Sequence, residues 1–295
     1  MEKLLRNKTA IALFVLPALV LYLAIVILPI FVSSWYSLLK WDGVGKSFFI
    51  GIENFVALFA RNTDGFWTSV KNSGILAGLS VFIQLPLAML IALTLAWGVR
   101  GEQFFRKVYF LPVVISTVVI CQLWVQVYNL DYGLLNGLLR GIGLKSWAQP
   151  WLSQPRTALM SVFLPIVWQY VGYHMLLYYT AIKSLPDELF DSARIDGASF
   201  AQTSLRITVP LIRAMIRVSL IFAIVGSFKL FDHVYIMTYG GPMQATEVPS
   251  TLMYKTIFRK YAYGYGSGMS VFIILECFLF TLFVQRGLRT KEGDL

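Results

Sequence analysis

The chain has 295 residues, 57% of them hydrophobic and 14% charged, with a formal net charge of +10. Soluble domains carry about 25% charged residues, so this composition excludes an ordinary soluble globular domain. The basic residues are scattered between greasy runs and form no single patch, which argues against nucleic acid and for lipid headgroups as their partners.

Apolar runs of ~20 residues or more, each able to cross ~30 Å of hydrocarbon as a helix, recur from end to end. The ~10-residue alternating segments of a membrane β-barrel are absent. The sequence therefore predicts an all-α polytopic membrane protein, a single domain over 1–295, with six spans near 11–37, 73–98, 108–129, 157–182, 214–237 and 266–285. The first span follows a basic start (Lys3, Arg6, Lys8) and runs on to about Phe31, too long for a signal-peptide core, so it is expected to stay uncleaved. Six spans put both termini on one side, and the denser Lys and Arg of the segments on that side make it the cytoplasm.

Outside then lie 38–72, 130–156 and 238–265, rich in Trp, Tyr and Gly. The first of these contains GVGKS at Gly43–Ser47, which resembles the end of a phosphate-binding G-x-x-x-x-G-K-[ST] loop. The first glycine of that motif falls on Lys40, and no strand leads through it into a helix, so a flexible turn is expected. Cys121 and Cys277 both lie inside apolar spans and read as small buried hydrophobes, not a disulfide. The only histidines, His174 and His233, have no neighbouring ligand set, so no metal site is expected. No nucleophile–base arrangement stands out, and no catalytic residue is assigned.

Inside, a short turn at 99–107 contrasts with a long segment from Lys183 to Arg213. Pro186 suits a first helical position, and Asp187 and Glu188 place acid in the first turn, where the helix dipole favours it. Leu189, Phe190 and Ala193 make an apolar face; Gly197 breaks the helix as a residue free to take positive φ. Ser199 with Gln202 is a capping box that opens a second helix, carrying Leu205 and Ile207 and stopping near Pro210. A helix–turn–helix with an apolar face and acidic neighbours should dock on something. The local chemistry fits headgroups and a cytoplasmic protein equally.

This stretch resembles the E-A-A-x3-G-x9-I-x-L-P signature of permease subunits in binding-protein-dependent ABC importers. Here it reads Asp191-Ser192-Ala193, three residues, Gly197, nine residues, Ile207-Thr208-Val209-Pro210, with spacing intact. The blocks LPALVLYLAIVILPIFVSSWYSLLKWDG, SFKLFDHVYIMTYGGP and YGYGSGMSVF also look like that family's carbohydrate-uptake branch, in its order. The chain is similar to the six-span sugar permeases of the maltose-transporter permease family that pair with a second, different permease.

The resemblance implies the type I importer transmembrane fold in a bacterial or archaeal cytoplasmic membrane. It implies a second homologous permease, two ATPase subunits that bind ATP–Mg in place of any cofactor here, and an extracytoplasmic solute-binding protein delivering a sugar. The 186–210 segment would be the coupling helix, contacting an ATPase through Glu188, Leu189, Phe190, Asp191, Ala193, Asp196, Gly197 and Pro210. The Gly240-Gly241-Pro242 turn would meet the binding protein. Polar groups inside spans are costly and suggest function. Trp168, Gln169 and Gly172 in span four, with Ser227, Lys229 and Asp232 in span five, are therefore expected along the substrate pathway, where the resemblance also places sugar contacts. Lys229 and Asp232, three apart on a helix, are equally suited to pair with each other. An ion-gradient transporter using Asp232, Glu276 and Lys229, with His233 in the relay, is the alternative.

Overall fold

The computed structural model describes residues 8–62 and 64–287. Lys3, Arg6 and the chain after Gly287, which carry part of the orientation argument, lie outside the described residues. Among the described residues five helices are long and apolar enough to cross a membrane, or six if one sharply bent pair is a single span. The chain divides into two units, one of residues 1–64 with 253–274 and one of 65–252 with 275–295.

In the first unit, α1 (Lys8–Tyr22) continues through a wide π turn at Leu23–Ile27 into α2 (Leu28–Tyr36). None of its most apolar stretch is buried within the chain. A small antiparallel pair, β1 (Leu39–Lys40) and β2 (Phe48–Phe49), follows. Its tip is the GVGKS segment, and its geometry disposes of phosphate binding. Asp42 Oδ1 already accepts the backbone N–H groups of Gly45 (2.8 Å) and Val44 (3.1 Å). Those same bonds, Gly45 first, hold the Asp42 carboxyl below its ordinary pKa. Beyond α3 (Glu53–Val56), Asn54 Nδ2 donates to the carbonyls of Ser37 and Leu39 and ties the hairpin down.

The second unit begins with α4 (Phe66–Leu79), which passes through a π turn at Ser80–Gln84 into α5 (Leu85–Ala96). Pro29 and Pro86 both sit in the first two positions after a π turn. Proline lacks an N–H and crowds the carbonyl four residues back; one wider turn before it relieves both faults and lets the span run on.

The third expected span, 108–129, is not one helix. It is α6 (Glu102–Val114) and α7 (Thr117–Val127), bent by 96° at Ile115–Ser116, which are extended. Pro112 removes a helical donor in the last turn of α6, and the β-branched run Val113-Val114-Ile115 has weak helix preference, so the break falls there. After α7 comes α8 (Leu134–Gly141), then α9 (Pro155–Lys183), a 29-residue helix that packs antiparallel on α6.

The loop carrying α8 is organised by one side chain. Asn136, fully buried, donates to the carbonyls of Asn129 and Gln149 and accepts from Gln149 N–H and Trp151 Nε1. Asn136→Leu should orphan three of these groups, since the Asn129 carbonyl also accepts from Gly133 N–H, and cost about 3 kcal/mol locally. Limited proteolysis within 130–154 should speed up tenfold or more; unchanged cleavage would refute this role.

The 183–213 segment folds as α10 (Asp187–Ile195), α11 (Phe200–Thr203), a π turn at Ser204–Thr208 and α12 (Val209–Leu211). The second helix ends at Leu211, one residue past Pro210, where Ile212 (φ −92°, ψ 16°) leaves helical geometry. That proline follows a π turn, as Pro29 and Pro86 do, and the chain carries on into α13 (Arg213–Phe228). The fifth span breaks at Lys229–Phe231 before α14 (Asp232–Met237); α15 (Pro249–Phe258) and α16 (Tyr263–Gly287) complete the chain.

Candidate transport pathway and coupling surface

Between α4, α6, α9 and α13 the second unit encloses a cavity of about 460 Å³. Tyr170 and Tyr173 of α9 and Phe222 of α13 supply ring faces; Ser80, Gln84, Ser227 and Lys229 supply polar groups. His174, also in the lining, shares a 2.6 Å hydrogen bond with Ser219, joining α9 to α13. The Ser80 and Ser227 hydroxyls meet at 3.3 Å.

Of the six pathway residues expected from sequence, Ser227 and Lys229 line this cavity and the other four do not. Trp168 stands on another face of α9, its ring 6.0 Å from that of Trp124. Gln169 is 1% exposed and bonded to Thr117 and His233. Gly172 is a packing residue: a Cβ there would lie 1.9 Å from the Tyr109 carbonyl oxygen, so only glycine lets α6 approach α9. The same face is clasped lower down by the Tyr179 hydroxyl donating to Glu102, with the Arg106 guanidinium 5.0 Å from the Tyr179 ring centre.

Lys229 and Asp232 form no ion pair among the described residues. Helical spacing fails because α13 ends at Phe228, with Lys229 capping it, and Phe231 is non-helical (φ −130°, ψ −60°). Each charge instead complements a helix end, the cation at the C-terminus of α13 and the carboxylate in the first turn of α14. Sequence reasoning missed Tyr170, Tyr173, Ser80 and Gln84. The hydroxyl and amide residues were detectable as polar groups within an apolar run, the rule that picked out Ser227. Asp232, His233 and Glu276 are not in the cavity lining, and nothing in the geometry strings them into an ion relay. Both cysteines are free, and no cluster of three metal-ligating side chains occurs among the described residues.

In the 183–213 segment, Gly197 has φ +72° with open space around its α-carbon, so the backbone turn, not close packing, demands glycine. The Ser199–Gln202 capping box is complete, both side chains bonding the other residue's backbone N–H. The expected apolar face divides. Phe190 turns inward onto the chain's own α5–α9 cluster, and Ala193 is buried. Leu189 (38% exposed) and Ile195 (86% exposed) look outward, beside exposed Glu188 and Asp196. Asp191 is held by its own Arg194 at 3.2 Å, and Arg194 also stacks over Trp97. Trp97 in turn meets Phe200 edge-on at 5.0 Å, fixing both α10 and α11 to the end of α5.

A bundle of bent spans with an internal cavity and an outward-facing helical elbow is found in known transporters. Residues 84–289 match the model of the binding-protein-dependent transport system inner membrane component family. The chain belongs to that family. It is 38% identical over 292 residues, 98% of this chain and 99% of the relative, to a probable ABC transporter permease protein, YurN, of Bacillus subtilis. It is 30% identical over 90% of its length, and 78% of the relative's, to the diacetylchitobiose uptake system permease protein NgcF of Streptomyces coelicolor. Its fold matches a chain of a bacterial alginate ABC transporter solved with its pentasaccharide-bound periplasmic protein, with a TM-score of 0.83 at 24% identity, covering 98% of this chain and 96% of that one. The family member described here is thus a multi-pass membrane component of an ABC importer.

Proposed function

We propose that this permease carries a sugar through the cavity bounded by α4, α9 and α13, as one of two homologous permease subunits. The observation that carries this is the lining itself. Two tyrosines and a phenylalanine offer flat apolar faces, with hydroxyl, amide and ammonium groups at their edges, and a sugar ring has apolar faces and a polar rim. The relatives' names point the same way, NgcF serving diacetylchitobiose. A solute-binding protein would deliver the sugar from outside, with the Gly240-Gly241-Pro242 turn part of the surface it meets. Both termini would lie in the cytoplasm.

Energy would come from two ATPase subunits that hold ATP–Mg. The outward side of the elbow, Leu189 and Ile195 with Glu188 and Asp196, would seat in an ATPase, while Phe190 fastens the elbow to its own spans. Movement of the docked elbow then swings α9 and α13 between two access states. Only contacts that differ between the ATPase's two states can drive this.

Uptake of labelled oligosaccharides by cells carrying the intact transporter tests the proposal. Deleting the ATPase should abolish uptake, and Tyr173→Ala should raise KM about tenfold, the equivalent of losing one ring contact. Uptake that persists without the ATPase rejects the reading.

A further inference from the structure

Gln169 sits on α9 with its neighbours Ile166 and Tyr170 in the cavity lining, yet its own side chain points elsewhere. Its Nε2 donates to Thr117 Oγ1 at 3.2 Å, and its Oε1 lies 3.0 Å from His233 Nε2. With the amide so oriented, Oε1 accepts and His233 carries its proton on Nε2. Both partners are placed alike. Thr117 is the first residue of α7, just past the 96° break; His233 is the second residue of α14, just past the Lys229–Phe231 break. The cavity stops at the same breaks: α6 contributes Val113 and α13 residues up to Leu230, while α7 and α14 contribute nothing. Beyond the breaks α7 and α14 pack on each other, and Cys121, Val162, Val167, Val234 and Met237 form an apolar plug between them and α9.

We propose that Gln169 is the positioning residue that latches the outer halves of two broken spans to α9 and so keeps the cavity closed from outside. The alternative reading, three polar groups satisfying one another in a packed core, predicts no change in access when one is removed conservatively. The latch predicts a change, because α7 and α14 each follow a non-helical break and Gln169 ties both of them to α9. His233 Nδ1, buried and without a hydrogen-bond partner, shows that this site is not arranged for maximal satisfaction.

Access is read directly by thiol labelling in protoplasts expressing the complete transporter, with Cys121→Ala and Cys277→Ala as background. Gly226→Cys is the reporter: it lines the cavity, and a Cβ there meets no atom within 4 Å. A membrane-impermeant maleimide is applied from outside. Gln169→Leu should raise the labelling rate about tenfold, the equilibrium shift expected from one buried hydrogen bond. His233→Leu should raise it similarly, and the double variant no further, because both break one chain. Should Gln169→Leu not fold, Thr117 decides: Thr117→Val raises labelling, whereas Thr117→Ser keeps the hydroxyl and the unmutated rate. Unchanged labelling in Gln169→Leu and Thr117→Val, or an equal rise in Thr117→Val and Thr117→Ser, overturns the latch. The inference takes its inside and outside from the importer reading, but labelling needs no transport. A failure of sugar uptake in the unmutated protein would therefore count against that reading while the labelling rates still judge the latch.

Discussion

Gly172→Ala is expected to be among the most damaging single-atom additions to this protein. The new Cβ would lie 1.9 Å from the Tyr109 carbonyl oxygen, 2.5 Å from its carbon and 3.0 Å from Phe110 N. All three are backbone atoms of a neighbouring helix, so no rotamer change relieves the overlap and α6 must part from α9. Overpacking of this kind costs ~3 kcal/mol. Parting would also pull the Tyr179 hydroxyl from Glu102 at the far end of the same seam. Gly226→Ala, with nothing within 4 Å of its added carbon, is the matched control and should shift stability by less than ~1 kcal/mol. Thermal unfolding of the detergent-solubilised transporter distinguishes them. Equal melting temperatures would show that the seam yields and that the close approach is not structural.

Gly197→Val should separate stability from transport. Its φ of +72° is costly for any residue with a Cβ, by ~1–2 kcal/mol, and worse for a β-branched one. The position is exposed, so the strain should be relieved by local rearrangement of the α10–α11 elbow with little change in global melting. On the proposed coupling, ATP-dependent uptake should instead fall by more than tenfold, because the elbow's two faces would no longer be held at the angle that seats one on the spans and the other on an ATPase. Gly197→Asn, which tolerates the left-handed region, should retain most uptake. If Asn fails as badly as Val, backbone conformation is not what the position supplies.

The elbow was legible in the sequence because its determinants are local. A capping box spans four residues, a positive-φ turn needs one glycine, and an acidic first turn sits beside its own helix dipole. Each can be read in a short window without knowing what lies across from it. The signature spacing from Asp191 to Pro210 then connected that local chemistry to a family. What the window did not reveal was sidedness. Phe190 read as part of a docking face for a partner, and it packs on the cluster between α5 and α9.

Sidedness also explains the pathway residues. In a soluble helix the apolar stripe marks the inward face, but a span meets lipid on one side and protein on the other, and both are apolar. Polarity alone drew attention to Gln169 and Ser227 alike; one faces a hydrogen-bonded seam and the other the cavity. Tyr170 and Tyr173, among a helix full of aromatics, gave no signal until the cavity located them.

Taken by itself, then, the sequence determined that the chain crosses a membrane repeatedly as helices, roughly where most of those helices lie, and that an elbow interrupts them. Length, hydropathy and capping are one-dimensional properties and survive being read in order. Tertiary structure alone decided where the third and fifth spans break, that Lys229 and Asp232 serve two helix ends and not each other, and which side chains enclose the cavity. Those outcomes depend on which helices come within a few ångströms of one another, and residues more than a hundred positions apart, such as Ser80 and Ser227, become neighbours only through packing.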